Sequence, residues 1–245
     1  MQYFGGKFRT GKRIADYLSS VREQDQLYVE PFVGSAWVLQ YMSNPRQASD
    51  IHEDLILLYK ALLDGWEPPT SVSEGQYNAL KTSRPSALRA FAGFGCSWGG
   101  KWFGGYARDN TSNRNYASNA HNSLMKQVPH LVGAEFTCDD YQKVRPEGTL
   151  MYLDPPYAGT TQYSNGMFDT TPFWEYVRQV SESNRVVVSE YTAPENFTVV
   201  AEFKTHTDVR TRSGGKSDRI ERLFEYSHPI KHRRALSSFP TKKRQ

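Results

Sequence analysis

The sequence of 245 residues contains little cysteine and no long apolar stretch. Its two cysteines, Cys96 and Cys138, are too few for a disulfide framework or a cysteine-rich zinc site, and they indicate a reducing compartment. No apolar run reaches the length of a membrane-spanning helix, and the first residues lack the apolar core of a secretion signal. We therefore expect a cytoplasmic protein with no membrane association and no metal site.

Neither sign of charge dominates, since 30 lysines and arginines oppose 26 acidic residues and give a net charge of +4. An excess of this size is compatible with a polyanionic partner but does not establish one. The C-terminal segment is more strongly basic, because residues 231–245 contain six lysines and arginines and no acid. Such a segment favours a solvated tail, with phosphate contacts as the alternative.

A complete phosphate-binding loop is also missing. Residues 6–12 match the spacing G-x-x-x-x-G-K, but Arg13 stands where the loop needs a serine or threonine to bind magnesium. The residues before this segment are too few to form the strand that leads into such a loop. We therefore reject a nucleoside-triphosphate site at this position.

The sequence does contain a regular alternation of helical and β patterns. Helices are predicted over residues 10–20, 37–42, 52–63, 84–94, 119–131 and 171–182. Strands are predicted over residues 27–30, 47–49, 134–138, 150–153, 185–190, 197–203 and 219–226. This alternation predicts a mostly parallel α/β sheet with its active groups at the carboxyl ends of the strands.

Two of these strand ends suit a nucleoside ligand. Phe32 and Gly34 lie in a turn of small residues, which lets backbone amides approach a ligand closely. Asp50 ends the next strand, where an acid can accept hydrogen bonds from ribose hydroxyls, although it can also cap the following helix. Because the turn lacks the second glycine that makes room for a pyrophosphate, a nucleoside without phosphates fits better.

The most informative stretch is the apolar run 150–153, which ends in Asp154-Pro155-Pro156-Tyr157. Proline ends the strand and fixes the backbone beyond it. The Asp154 carboxylate and the Pro155 carbonyl can then accept both hydrogens of an exocyclic amino group, while Tyr157 stacks on the ring. We predict these four residues as a catalytic set that acts by positioning, on a base that must first leave its duplex.

Residues 66–130 separate the two halves of the predicted sheet and are rich in glycine, asparagine, arginine and aromatic residues. Rings, amides and cations on flexible backbone suit nucleic-acid contacts, and a packed loop with core rings is the alternative. A second basic, glycine-rich segment at 210–219 is either a loop near phosphates or an ordinary hairpin connection. The candidate DNA contacts are Arg84, Lys101, Trp102, Arg108, Arg114 and Arg212.

These motifs resemble, in type and order, those of the Dam-like (D12 class, α group) DNA adenine-N6 methyltransferases, many of which are encoded by phages. The resemblance covers about residues 2–63 and 135–226. It lies in Tyr3-Phe4-Gly5-Gly6-Lys7, in Glu30-Pro31-Phe32-Val33-Gly34-Ser35-Ala36, in Asp50 and in the Asp154 motif.

The resemblance implies a Rossmann-like methyltransferase sheet, mostly parallel with a C-terminal reversed β-hairpin, plus an inserted, mainly helical target-recognition subdomain. Residues 1–65 and 131–228 would form the methyltransferase domain, residues 66–130 the insert and residues 229–245 a basic tail. The resemblance also implies S-adenosyl-L-methionine as the cofactor. Its contacts would be Tyr3, Lys7, Phe32, Gly34, Asp50, Asp140 and Asp154, with Asp50 on the ribose and Asp140 or its neighbour on the adenine.

The implied activity is site-specific methyl transfer to N6 of an adenine flipped out of double-stranded DNA. The enzyme would need no metal and would act as a monomer or weak dimer. We expect it in the cytoplasm of a bacterium or of a phage-infected cell, where it could belong to a restriction-modification system. The family's second turn glycine is Ala36 here, which is tolerable if its φ stays negative. The insert does not match the segment with which Dam reads GATC. An RNA base methyltransferase with the same catalytic motif is the alternative, and a nucleic-acid-binding regulator with a vestigial pocket is another.

Overall fold

The computed structural model describes residues 1–109, 114–156, 168–210 and 216–227, with the backbone alone at 205–210 and 216–219. Within these ranges the strands are β1 (Tyr28–Glu30), β2 (Arg46–Asp50), β3 (Ala134–Cys138), β4 (Leu150–Leu153), β5 (Arg185–Glu190), β6 (Phe197–Arg210) and β7 (Lys216–Tyr226). The α-helices are α1 (Gly11–Val21), α2 (Glu53–Leu63), α3 (Glu74–Lys81), α4 (Ala87–Ala90), α5 (Tyr116–Gln127) and α6 (Thr170–Val180).

All the strands form one sheet in the order β3-β2-β1-β4-β5-β7-β6. Strands β1 to β5 run parallel, whereas β7 is antiparallel to both β5 and β6. The predicted Rossmann-like sheet with a reversed C-terminal hairpin is therefore confirmed. Because β1 connects to β2 on one side and has β4 on the other, the strand order reverses beside β1, and a crevice opens there at the carboxyl ends.

Side chains of the central strands alternate between two apolar layers, as the period of a β-strand requires. Tyr28, Leu150 and Tyr152 belong to one layer, and Val29 and Met151 belong to the other. β1 and β4 are buried on both faces, which explains why they are continuous apolar runs in the sequence. Their carboxyl ends thus emerge from the most rigid part of the protein.

The insert shares the core of the sheet. Phe91, Phe103 and Leu124 lie in the same apolar cluster as Ile14 of α1 and Tyr152 of β4. Helix α6 covers the opposite face of the sheet. The insert therefore rests on the layer that also holds the N-terminal helix. None of the helices in the described ranges is long and apolar enough to cross a membrane.

Two predicted helices need correction, and one helix was not predicted. The helix predicted over residues 37–42 is only a 3₁₀ turn, Leu39–Tyr41, because the preceding turn already uses much of this segment. The helix predicted over residues 84–94 consists of the short α4 and a π-helical turn, Phe91–Gly95. Helix α3 was not predicted, since it buries only one apolar residue; its signal was the capping box of Ser73 and Gln76.

The C-terminal strands are longer than predicted. β6 reaches Arg210 and β7 begins at Lys216, so most of the predicted basic loop at 210–219 is strand or lies outside the described residues. The predicted basic tail from residue 229 also lies outside them.

Arg46, at the start of β2, is buried and ties together the amino edge of the sheet. Its guanidinium donates hydrogen bonds to the carbonyl oxygens of Leu39, His130 and Val132 at 2.9 Å each, and to Asn44 Oδ1 at 2.8 Å. These acceptors belong to the segments that lead into β2 and β3. Arginine can reach them together because its planar head presents several donors in fixed directions.

Replacing Arg46 with methionine should leave three carbonyl oxygens, one of them fully buried, without this donor. We expect Arg46→Met to lower the free energy of unfolding by roughly 3 kcal/mol, measured by urea titration. Arg84→Met is the matched control, because Arg84 is exposed and its loss should change stability by less than about 0.5 kcal/mol. Equal urea midpoints for the two variants would contradict the role assigned to Arg46.

Candidate cofactor and substrate site

A cavity of about 340 Å³ opens where the carboxyl ends of β1, β2 and β4 meet. This volume is in the range of sites for small molecules. The N-terminal segment 3–7 forms one wall, and the segments that follow β1, β2, β3 and β4 form the others. The sheet therefore brings residues from both ends of the chain to the predicted crevice.

The turn after β1 has the conformation that a close backbone approach requires. Gly34 has φ +45° and Ala36 has φ +54°, so the expectation of a negative φ at Ala36 was wrong. A left-handed alanine costs on the order of 1 kcal/mol, which the surrounding contacts must supply. At Gly34 a Cβ atom would stand 3.2 Å from the ring of Tyr3. Tyr3, a predicted cofactor contact, lines the cavity and also packs on Phe94.

Gln127, from the end of α5, holds this strained turn in place. Its buried Nε2 donates to the carbonyl oxygens of Ser35 at 3.0 Å and of Ala36 at 3.1 Å. Tyr59 of α2 donates from its hydroxyl to the Gly34 carbonyl at 2.8 Å. Gln127 was not predicted as a site residue, since no motif near it in the sequence indicates a contact with the glycine turn.

Asp50 faces the cavity from the end of β2, as predicted. Its Oδ2 accepts the Gly34 N–H at 3.0 Å, and its Oδ1 accepts the His52 N–H at 2.9 Å. Burial raises the pKa of the Asp50 carboxyl, although these backbone N–H groups act in the opposite direction. The same carboxyl group thus orders the glycine turn and the residue before α2. The N-cap position is His52, so the prediction of Asp50 as the N-cap of this helix was wrong.

Asp140 and Phe32 form the far side of the cavity. The Phe32 ring stacks on Tyr141 with a centroid distance of 5.0 Å and an interplanar angle of 29°. Asp140 Oδ1 accepts the Gln142 N–H at 2.9 Å, which fixes the carboxyl group at the end of the segment after β3. The two predicted cofactor contacts therefore lie beside a flat aromatic wall of the kind that an adenine ring needs.

Lys7 and Asp154 form the chemical centre of the cavity. The Nζ atom of Lys7 lies 2.6 Å from Asp154 Oδ1 and 3.3 Å from Glu221 Oε1. Glu221, on β7, also accepts the Ser189 hydroxyl at 2.6 Å. Lys7, Asp154 and Glu221 are all largely buried, so each charge depends on the others. Glu221 and Ser189 were not predicted, because they lie on strands that reach the site only through the strand order.

Glu30 is a further acid that the predictions omitted. It is 3% exposed at the end of β1 and lines the cavity. The Tyr28 hydroxyl donates to its Oε2 at 2.8 Å. Burial raises the pKa of Glu30 to about 8; the Tyr28 hydrogen bond lowers it, the negative charge of Asp154 raises it, and Lys7 lowers it. Glu30 is therefore a neutral acid at the cavity wall that can become charged when a cation approaches.

The other predicted catalytic residues are only partly described. Pro155 and Pro156 line the cavity directly after Asp154. Tyr157 lies outside the described residues, as does most of the polar segment that follows it. Three of the four residues of the predicted catalytic motif, Asp154 and the two prolines, thus line the cavity.

The predicted DNA contacts divide into exposed cations and one packed ring. Arg84, Lys101, Arg108 and Arg114 are exposed, and Arg212 lies outside the described residues. Three of the exposed cations already have local partners. Lys101 lies over the Phe4 ring, Arg108 pairs with Glu74, and Arg114 lies over the Tyr116 ring.

Trp102 requires a correction. Its ring packs against His52, Phe94 and Phe103 at centroid distances of 4.3 to 4.7 Å, and Arg89 covers it at 5.1 Å. This arrangement favours the packed-core alternative over base stacking by this ring. Trp98, at the tip of the same loop, is the exposed tryptophan, with 64% of its surface accessible.

The remaining candidates for chemistry are few. Burial raises the pKa of the Cys96 thiol to about 12, which makes it a poor nucleophile at neutral pH. Cys138 is exposed, and both cysteines are unpaired. Across the described residues there is no group of three or more histidines, cysteines or acids placed to hold a metal ion.

The charge of the cavity indicates the kind of ligand it accepts. Its described lining includes five acidic side chains, whereas Lys7 and the largely buried His52 are its basic ones. Phosphate groups would be repelled by such a wall, and a nucleoside with positive charge would be attracted. The lining therefore fits a phosphate-free, cationic nucleoside such as S-adenosylmethionine. The five acids are Glu30, Asp50, Asp140, Asp154 and Asp169.

The raised pKa of Glu30 predicts how stability depends on pH. The folded protein keeps this proton up to about pH 8, whereas a free glutamate releases it near pH 4.5. The folded state thus binds more protons between these values, and its stability falls as pH rises through this window. We expect Glu30→Gln, which has no proton to lose, to flatten this decline in urea midpoint. The exposed Glu135→Gln is the control, and parallel declines in all three proteins would exclude Glu30 as the cause.

No curated protein sequence matches the chain. Among solved structures, the chain is similar to a protein of Pyrococcus horikoshii provisionally named an RNA methyltransferase, at 9% identity and TM-score 0.40, covering 88% of this chain and 80% of that one. An rRNA methylase of Streptococcus thermophilus gives 8% identity, TM-score 0.39 and coverage of 88% and 96%. A provisionally named methyltransferase of Escherichia coli gives 10%, 0.40 and coverage of 90% and 87%.

The comparison with protein-family models is more informative. Residues 3–87 match the family model of the D12 class N6 adenine-specific DNA methyltransferase. The matched part contains Tyr3, Lys7, the glycine turn and Asp50, and its strands place them on the cavity that Asp154 completes. The match agrees with the resemblance predicted from the motifs: residues 3–87 are similar to the D12 class N6 adenine-specific DNA methyltransferases.

Proposed function

We propose that this methyltransferase transfers the methyl group of S-adenosylmethionine to N6 of an adenine flipped out of duplex DNA. The observation that supports this most directly is the contact between Asp154 and an amine. Lys7 Nζ lies 2.6 Å from Asp154 Oδ1, so the carboxylate at the end of β4 already binds a nitrogen that donates hydrogen bonds. The exocyclic amino group of adenine offers the same kind of donor.

The side chains around the cavity divide the cofactor between them. Asp50 would accept the ribose hydroxyls, and Phe32 with Asp140 would hold the adenine. Glu30, buried near Lys7 and Asp154, would face the positively charged methionine end, where an approaching cation favours loss of its proton. When bound, S-adenosylmethionine supplies an activated methyl group, so the protein needs no nucleophile of its own.

Asp154 and its prolines would position the acceptor nitrogen. The carboxylate and the Pro155 carbonyl accept the two N6 hydrogens and thereby aim the nitrogen lone pair into the cavity. The Asp154 carboxylate would stabilise the positive charge that N6 gains as the methyl group leaves the sulfonium, which becomes a neutral thioether, and it could accept the proton that N6 then loses. Because these acceptors are fixed by two prolines, little reorganisation is needed during the reaction.

Lys7 must release Asp154 before the adenine amino group can bind there. A buried ammonium without a counterion would be strongly unfavourable. Glu221, 3.3 Å from the same Nζ, provides a carboxylate that Lys7 keeps as it leaves Asp154. Ser189 holds Glu221 in position through the hydrogen bond to its Oε1. Lys7 can thus leave Asp154 and still keep a carboxylate beside it.

The choice of DNA over RNA is supported by the family match. An adenine paired within a duplex presents its N6 in the major groove and cannot enter a cavity bounded by a sheet edge, so the base must rotate out. The exposed cations of the insert, Arg84, Lys101, Arg108 and Arg114, are available to hold the phosphates while it does so.

Asp154→Asn should abolish methyl transfer while leaving the fold intact. Asparagine keeps the shape of the side chain but replaces one acceptor with a donor, which opposes the N6 hydrogens. We expect the rate of tritiated methyl transfer to plasmid DNA to fall by more than about 100-fold. Asp64→Asn, an exposed acid at the end of α2, is the matched control and should retain activity.

The same assay separates the substrates when total RNA is added in parallel. Label in DNA with loss in Asp154→Asn supports the proposal. Label that appears only in RNA would exclude DNA as the substrate, and transfer by the variant at the wild-type rate would remove Asp154 from catalysis.

Glu221→Gln should slow the reaction without weakening cofactor binding. The variant removes the second carboxylate from Lys7, so release of Asp154 becomes more costly. A cost of about 1.4 kcal/mol would lower kcat/KM for DNA about tenfold. Glu225→Gln on the same strand is the control, since Glu225 pairs with Arg185 away from the cavity. An unchanged kcat/KM, or a loss of cofactor affinity by calorimetry, would contradict this role.

A further inference from the structure

Phe8 is the most exposed of the large apolar side chains in the described part of the protein, with 71% of its surface accessible. Its neighbour Lys7 is 7% exposed and reaches Asp154. Two consecutive side chains therefore point in opposite directions, one into the cavity and one into solvent. Single exposed apolar residues are common on proteins, so the position of Phe8 beside the catalytic centre is the informative feature.

The exposed ring has a firm support. Phe8 meets the ring of Trp37 edge to face at 4.9 Å, and Trp37 itself lines the cavity. Beneath it, Lys7 is fixed by its ion pairs, and helix α1 begins at Gly11. Phe8 is thus an exposed ring supported by a residue of the cavity wall, and it stands beside the cavity that would receive the target base.

The surface beside Phe8 is basic. Arg9, Lys12 and Arg13 follow within five residues and are all exposed. The first turn of α1 contains no acid, although the helix dipole favours acids there and disfavours cations. Lys12 pairs with Asp16 at 2.9 Å along the helix, and the Arg13 guanidinium lies 4.9 Å from the centre of the Phe203 ring, so these two cations also have local partners. The exposed surface still carries three cations close together, and a polyanion would be attracted to it. This is the segment whose spacing imitates a phosphate-binding loop.

Flipping a base out of a duplex leaves a gap in the stack and costs a few kcal/mol. An aromatic side chain that enters the gap recovers part of this cost, since stacking of a base on such a ring is worth about 1–3 kcal/mol. The ring has to be exposed, supported by its neighbours and adjacent to the pocket that receives the base. Phe8 meets each of these conditions.

We infer that Phe8 inserts into duplex DNA beside the target adenine and replaces the stacking that the flipped base loses. Arg9 and Arg13 contact the phosphates on either side of the gap. This inference rests on the proposed function, because it assigns a role within methylation of a flipped adenine. It places a DNA contact in the N-terminal segment, outside the insert from which most DNA contacts were predicted.

The test compares paired and unpaired target adenines. Once sequencing of methylated DNA has identified a target site, two oligonucleotide duplexes are prepared, one fully paired and one with an abasic site opposite the adenine. We expect Phe8→Ala to lower kcat/KM on the paired duplex by about 5- to 150-fold, the range that corresponds to the loss of one stacked base. On the abasic duplex, where the adenine is already unpaired, the loss should be much smaller. Phe8→Tyr should restore activity on the paired duplex.

Two control variants and a binding measurement keep the outcomes distinct. Tyr41→Ala and Val132→Ala remove exposed apolar side chains near the amino edge of the sheet and should match the wild type. Cofactor affinity of Phe8→Ala, measured by calorimetry, should also be unchanged. Equal losses on both duplexes, or no loss on either, would overturn the role of Phe8 while leaving the proposed function intact. A wild-type protein that methylates no DNA would overturn both.

Discussion

A buried ammonium group holds the site of this protein together. Lys7 comes from the N-terminal segment, Asp154 from the end of β4 and Glu221 from β7, and Lys7 Nζ lies within 3.3 Å of both carboxylates, with all three side chains largely buried. Buried charges are tolerated only when they are paired, so the three segments have to remain in register for the protein to stay folded. The same requirement explains how the site can open, because a lysine with two carboxylates can leave one of them without becoming unpaired. Structural constraint and chemical function therefore rest on the same contacts.

The glycine turn is the second constraint, and it shows how the insert is connected to the cofactor side. A left-handed Ala36 is unfavourable by itself, and it persists because Gln127 and Tyr59 bind the carbonyl oxygens around it. Gln127 lies at the end of the helix that closes the insert, and Phe91 and Phe103 of the insert lie in the core under α1. Binding of DNA to the insert would thus act on elements that also shape the cofactor turn. The insert therefore packs as part of the same hydrophobic core as the sheet, although its composition differs from that of the rest of the chain.

The cavity has a polarity that fits methyl transfer from a cationic cofactor. Acids from four strand ends surround it, and the aromatic pair Phe32 and Tyr141 closes one side. Outside the rim the polarity reverses, since Phe8 is followed by exposed cations. Under the proposed function, a negative cavity beneath a positive rim would separate the two ligands, because the positively charged cofactor would be favoured within and the polyanion at the surface.

Local sequence patterns predicted the alternation of strands and helices, and the family motifs predicted the reversed C-terminal hairpin. The same motifs placed Tyr3, Lys7, Asp50 and Asp154 at one site. They could do so because strand periodicity, prolines and small turn residues act on their immediate neighbours. Only the tertiary structure decided which distant groups complete the site. Lys7 and Asp154 are 147 residues apart, and Gln127 lies 92 residues from the carbonyl of Ser35 that it binds. Glu221, Ser189 and Gln127 belong to ordinary strand and helix patterns, and their roles arise from the strand order. The positive φ of Ala36 and the packing of Trp102 were likewise fixed by long-range contacts, because these can outweigh the local preference of a residue.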